Sequence, residues 1–88
     1  FGIRANAIAP GCVEGARIDA VIEREATTKK TTSDIIREAY KSGTSLKTFV
    51  NAEDIASMAL FLASDQAIRI SGQVIAVDGH TENPDPKI

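Results

Sequence analysis

The side chains best equipped for proton transfer are Tyr40, with Lys41 next to it, and His80, close behind Asp78. A tyrosine serves as a general acid when a nearby cation lowers its pKa, and on a helix an i, i+4 spacing brings the two groups onto one face. Here the lysine is adjacent and position 44 is Thr44. Tyr40 is therefore read as a packing residue, and no catalytic residue is assigned within the chain. His80 is the sole histidine and follows Asp78-Gly79, so it is read as a turn residue rather than a base. No cluster of Cys and His accompanies it, and a zinc site is not expected. The single cysteine, Cys12, has no internal disulfide partner and reads as a small apolar loop filler. Lys29-Lys30 lies in the Thr-rich run Thr27 to Thr32 and reads as part of a solvated, mobile connection.

These residues must be placed by a few short elements. Ile3 to Ala9 is a mostly apolar run stopped by Pro10-Gly11, the pattern of a buried strand ended by a turn. From Arg17 onwards, Ile18, Val21 and Ile22 fall on one helical face, with Asp19, Glu23, Arg24 and Glu25 on the others, which predicts a short amphipathic helix. A second helix carries Ile35, Ile36, Ala39 and Tyr40, with Thr31 and Asp34 as its capping pair and Gly43 closing it. Asn51 and the acidic Glu53-Asp54 mark a third helix start. Its continuation from Ile55 to Ala63 is almost wholly apolar, so it calls for neighbours on several sides. After the Ser71-Gly72 turn, Gln73 to Val77 reads as a strand ended by Asp78-Gly79. About sixty residues separate the two strands, which suits a parallel crossover in an α/β sheet better than a hairpin. No internal repeat is found.

Composition narrows the function. A chain of 88 residues, 43% hydrophobic and 25% charged, is ordinary globular material for one domain at most. A core of this size is thin, since about 60 residues bury only about 60% of their unfolded surface and even about 150 reach only about 70%. The net charge of −2 with scattered Lys and Arg speaks against nucleic acid as a partner. No apolar run approaches the ~20 residues needed to cross a bilayer and no signal-peptide pattern is found, so the expectation is a cytoplasmic protein with no membrane partner. The opening directly into Phe1-Gly2-Ile3 reads as the interior of a longer polypeptide. The Pro-containing tail from Asn83 to Ile88 reads as a loosely ordered terminus.

Two blocks carry a family resemblance. Gly2-Ile3-Arg4-Ala5-Asn6-Ala7-Ile8-Ala9-Pro10-Gly11 resembles the sixth strand and following Pro-Gly turn of the short-chain dehydrogenase/reductase family. Glu53-Asp54-Ile55-Ala56, Leu60 to Asp65, Ser71-Gly72-Gln73 and Val77-Asp78-Gly79 resemble its last helix and last strand, in order and spacing. The resemblance implies an α/β chain: the C-terminal part of a Rossmann-like, doubly wound parallel sheet, with two strands and about three helices. It divides the chain into a strand and nicotinamide loop (1–15), a substrate lid (16–50), the last helix and strand (51–80), and a tail (81–88).

The same resemblance implies NAD or NADP as cofactor, and a small carbonyl or alcohol compound as substrate for hydride transfer. It places the loop Pro10, Gly11, Cys12 and Val13 beside the nicotinamide, with the Val13 amide available to the carboxamide. Pro10 fixes φ there and Gly11 permits close backbone approach. Where the family usually offers a threonine hydroxyl to the cofactor phosphates, this sequence has Gly15, which leaves only a backbone amide near the following helix start. At the position of His80 the family often has a second glycine. The family's Gly-rich turn, Ser and Tyr-x-x-x-Lys lie upstream of the matching strand, so the 88 residues alone are expected to be inactive and to need the missing N-terminal part. A homo-oligomer, tetramer or dimer, is implied by the last helix and strand. The alternative is a non-catalytic interaction module or degenerate relative, distinguished by whether those upstream motifs exist.

Overall fold

The structure, a computed structural model, describes residues 1–84. The elements run β1 (Ala7–Pro10), α1 (Ala16–Lys29), α2 (Ser33–Ser42), α3 (Ala52–Ala63), a 3-10 turn at Asp65–Ala67, and β2 (Val74–Val77). The two strands pair in parallel, from Ala7 opposite Val74 to Pro10 opposite Val77, so the three helices form the crossover between them. The Ala7 and Gly11 amides donate to the carbonyls of Gln73 and Val77 at 2.8 and 3.0 Å. Alternate residues thus face β2, which turns the Pro10 nitrogen to the opposite edge, where its missing proton costs the ladder nothing.

The first strand is shorter than expected and begins at Ala7 rather than Ile3. The residues before it are tied by side chains instead of a ladder. Arg4 donates to the carbonyls of Leu62 and Ile70 at 2.8 and 3.2 Å, and Asn6 donates to Ile70 at 3.1 Å while accepting from the Gln73 amide at 3.0 Å. These bonds fix where β2 starts relative to β1, an example of long-range register set by polar side chains.

The expected mobile connection at Thr27 to Thr32 is corrected by the structure: α1 continues through Lys29. Ala26 is buried beneath this last turn, Thr27 returns its hydroxyl to the Glu23 carbonyl at 3.1 Å, and Lys30 closes the helix in a left-handed conformation. The cap of α2 is likewise Thr32 rather than Thr31, its hydroxyl accepting from the Ile35 amide at 3.3 Å. Gly43 does end α2 but has φ −75. A Cβ there would come within 2.2 Å of the Asn83 carbonyl oxygen, so closeness of chains, not handedness, requires glycine. At α3 the expected cap holds, with Asp54 accepting from the Asn51 amide at 2.7 Å.

Ile22, Ala26, Ile36 and Phe49 form the buried centre, and Cys12, Ile18 and Tyr40 pack against it. The core therefore sits between α1, α2 and the loop after β1, not on the sheet. Around α3, only Leu62 is buried within the helix, and Leu60 and Ile68 stay 73% and 61% exposed. The radius of gyration is 16.0 Å, against about 12 Å for a compact domain of this length; the neighbours that α3 calls for are not supplied by the described residues. Thr81 bridges Thr44, and the Glu82 and Asn83 amides donate to the Gly43 carbonyl, so the tail is anchored at its start. The rest of the expected loose terminus, 85–88, lies outside the described residues.

Candidate nicotinamide-side site

The loop that leaves the carboxyl end of β1 is held from two sides. Gly11 sits against Asp78, at the matching end of β2. A Cβ on Gly11 would lie 2.6 Å from the Asp78 Cβ and 2.7 Å from its Cα, so no side chain fits. Further on, Val13 forms an isolated parallel bridge with Val50. The Glu14 amide donates to the Val50 carbonyl at 2.9 Å, and the Val50 amide donates to the Cys12 carbonyl at 3.0 Å. In a parallel bridge of this kind, the central residue's own N–H and C=O point away from the partner. Val13 thus presents both backbone groups outward, a donor and acceptor pair that matches a carboxamide.

Pro10, Gly11, Cys12, Val13 and Gly15 all line one open concavity, which α1 completes with Ala16, Arg17, Ile18 and Val21. The five site residues expected from the sequence are therefore adjacent in space. Gly15 is the residue before α1, with φ 148, a conformation that suits glycine and strains other residues. A threonine could not replace it here without backbone strain. The first-turn amides of α1, which have no intrahelical partners, open beside it.

Cys12 is half-buried under this loop, and burial pushes its thiol above the ordinary range. The thiolate is the reactive form. Alkylation of Cys12 by iodoacetamide at pH 8 is accordingly expected to run several-fold slower than that of glutathione, as followed by mass spectrometry; an equal or faster rate would contradict a buried, apolar setting.

The side chains suited to proton transfer are engaged elsewhere. The Tyr40 hydroxyl donates to Glu25 Oε1 at 2.9 Å and its ring joins the core, while Lys41 Nζ lies 5.6 Å from the Phe49 ring centre. His80 takes a left-handed turn conformation, φ 64, with Nδ1 2.9 Å from Ser45 Oγ. Glycine would adopt that φ without strain. Partial burial raises the Asp78 carboxyl, but hydrogen bonds from the His80 amide and from Thr81 outweigh it and hold the group below its ordinary value. Among the described residues, no group of His, Cys, Asp or Glu is placed to hold a metal ion, and no helix is long and apolar enough to cross a membrane.

One group was not foreseen. Arg37 on α2 reaches Glu14 through Nη1 at 2.9 Å and Asp19 through Nη2, with its guanidinium 5.4 Å from the Phe49 ring centre. Its partners lie 23 and 18 residues away in the chain, beyond the reach of any local spacing rule.

A parallel pair joined by a helical crossover, with a Pro-Gly loop and a helix start at the carboxyl end of the first strand, defines part of a doubly wound α/β sheet of the dinucleotide-binding type. A family model described as enoyl-(acyl carrier protein) reductase matches residues 1–80. The chain belongs to the short-chain dehydrogenase/reductase family. D-beta-hydroxybutyrate dehydrogenase of Rhizobium meliloti is 35% identical over 79 residues, covering 89% of this chain and 31% of that protein. A short chain dehydrogenase family protein from Francisella tularensis superposes with TM-score 0.81 at 26% identity, over 89% of this chain and 32% of that one. YwfH, an NADPH dependent reductase involved in bacilysin biosynthesis, gives TM-score 0.79 at 32% identity, over 96% and 31%. The chain thus spans about a third of the length of these relatives.

Proposed function

We propose that these residues form the nicotinamide-side wall and substrate cover of an NAD- or NADP-dependent oxidoreductase that moves hydride between the cofactor and a carbonyl or alcohol compound. The observation that carries this reading is the Val13 backbone, whose N–H and C=O are turned away from Val50 in a loop that lines one concavity with Pro10, Gly11, Cys12 and Gly15. A bound nicotinamide would supply the hydride donor or acceptor. The chain's own contribution is to orient the carboxamide through Val13, to let the phosphates approach the first turn of α1 at Gly15, and to exclude water by covering the substrate with α1 and α2. The proton on the substrate oxygen is handled by residues outside this sequence, so the isolated 88 residues do not turn over. α3 and β2 supply an assembly surface for a homo-oligomer, a dimer or tetramer, which accords with the exposed Leu60 and Ile68. The cytoplasm is the compartment in keeping with this role.

The test is Val13→Pro in the full-length enzyme. It deletes one amide donor that the bridge to Val50 does not use. One net hydrogen bond contributes about 0.5–1.5 kcal/mol, so the cofactor KM should rise roughly 2- to 10-fold. A KM that does not move removes Val13 from the site.

A further inference from the structure

We propose that Arg37 is a positioning residue that couples the substrate cover to the cofactor loop. This inference rests on the reading of that loop given above. Glu14 lies between Val13, whose backbone faces the concavity, and Gly15, which precedes α1. Its amide is fixed by the Val50 carbonyl at 2.9 Å, and its carboxylate by Arg37 Nη1 at the same distance. The other guanidinium arm holds Asp19, in the first turn of α1. One planar cation therefore pins both flanks of Gly15, the residue that joins loop to helix at a φ of 148.

The cation belongs to a different element from its partners. Arg37 follows the fully buried Ile36 on α2, and its guanidinium lies against Phe49, itself buried in the core of the cover. The position of α2 therefore sets the position of both carboxylates. A displacement of α2 would be carried through Arg37 to Glu14 and Asp19, on either side of Gly15, and cofactor and substrate binding are then linked through one side chain. A fork of two N–H donors is needed to hold both carboxylates at once; a lysine, with its single compact charge, does not span them in the same geometry.

All three side chains keep contact with solvent, at 26% exposure for Arg37, 45% for Glu14 and 57% for Asp19. Exposed pairs contribute modestly and weaken as salt rises. Arg37 is thus poised to tune the loop without carrying the fold.

The experiment is a set of full-length enzymes, Arg37→Ala, Arg37→Lys, Glu14→Gln and the Arg37→Ala/Glu14→Gln pair. Each is assayed for cofactor KM, substrate KM and kcat at low and high salt, with thermal unfolding in parallel. Arg37→Ala should raise the cofactor KM about fivefold at low salt, and by less at high salt, from the loss of two exposed ion pairs. Glu14→Gln should raise it by less, and the pair should be no worse than Arg37→Ala alone, because the two act through one contact. Arg37→Lys should recover only part of the loss. A cofactor KM within twofold of wild type in Arg37→Ala, or a rise indifferent to salt and additive with Glu14→Gln, overturns the coupling while leaving the oxidoreductase reading intact. A wild-type enzyme that binds neither nicotinamide cofactor overturns both.

Discussion

Replacing Gly11 by alanine is expected to be among the most damaging single changes in the chain. The added methyl would sit 2.6 Å from the Asp78 Cβ and 2.7 Å from the Asp78 Cα, inside any van der Waals contact. Neither obstacle is the movable end of a long side chain, so the backbone itself must give. Forcing atoms into such a space costs about 1–3 kcal/mol, and more where the backbone cannot shift. The two strand ends would have to separate at the point where the Gly11 amide donates to the Val77 carbonyl. The measurement is thermal unfolding of the full-length variant beside its cofactor KM. A lower melting temperature with a raised KM is the expected pair of results, because the displaced loop carries Val13. Wild-type values for both would mean that β1 and β2 do not approach as described.

Ile36→Ala should be comparably severe by a different route. Ile36 is 0% exposed and lies among Ile22, Ala26 and Phe49, so truncation leaves a cavity between α1 and the segment carrying Phe49. Loss of a buried Ile side chain costs about 2–5 kcal/mol. Chemical denaturation should show the midpoint falling by the corresponding amount. The cofactor KM should respond less than the substrate KM, because the cavity opens within the cover. A loss below about 1 kcal/mol would show that α1 and α2 collapse readily onto the space, and that the cover is softer than its burial suggests.

Much of this arrangement is legible in the sequence, and the parts that are not have physical reasons. The parallel crossover followed from the separation of two apolar runs, and the cap of α3 from Asn51 and Asp54, because both signals are local and strong. The start of β1 was misplaced because Arg4 and Asn6 divert their neighbourhood into side-chain bonds with Leu62 and Ile70, which apolar patterning does not register. The end of α1 was lost among threonines of low helix propensity. Burial of Ala26 and the return of the Thr27 hydroxyl to Glu23 override that propensity through packing. At the candidate site, the five loop residues are those the resemblance implies, but the reason for a glycine at Gly11 is Asp78, 67 positions later in the chain. Arg37 was passed over because its charge reads as one more solvated residue on a helix face until α1 is laid beside it.

The location of the buried centre has a bearing on how such a protein diversifies. Ile22, Ala26, Ile36 and Phe49 all come from one continuous stretch between the loop and α3, whereas the sheet joins residues from the two ends. In the proposed role, a cover that buries its largest side chains against itself can change its inner surface, and with it the compounds admitted, while β1, β2 and the Val13 loop keep their geometry. The attachments to be preserved are then mostly made by backbone atoms, at Val50 against the loop and from Gly43 to Leu46 against the residues that follow β2, so that few side chains of the exchanged segment, Arg37 among them, are tied to the frame.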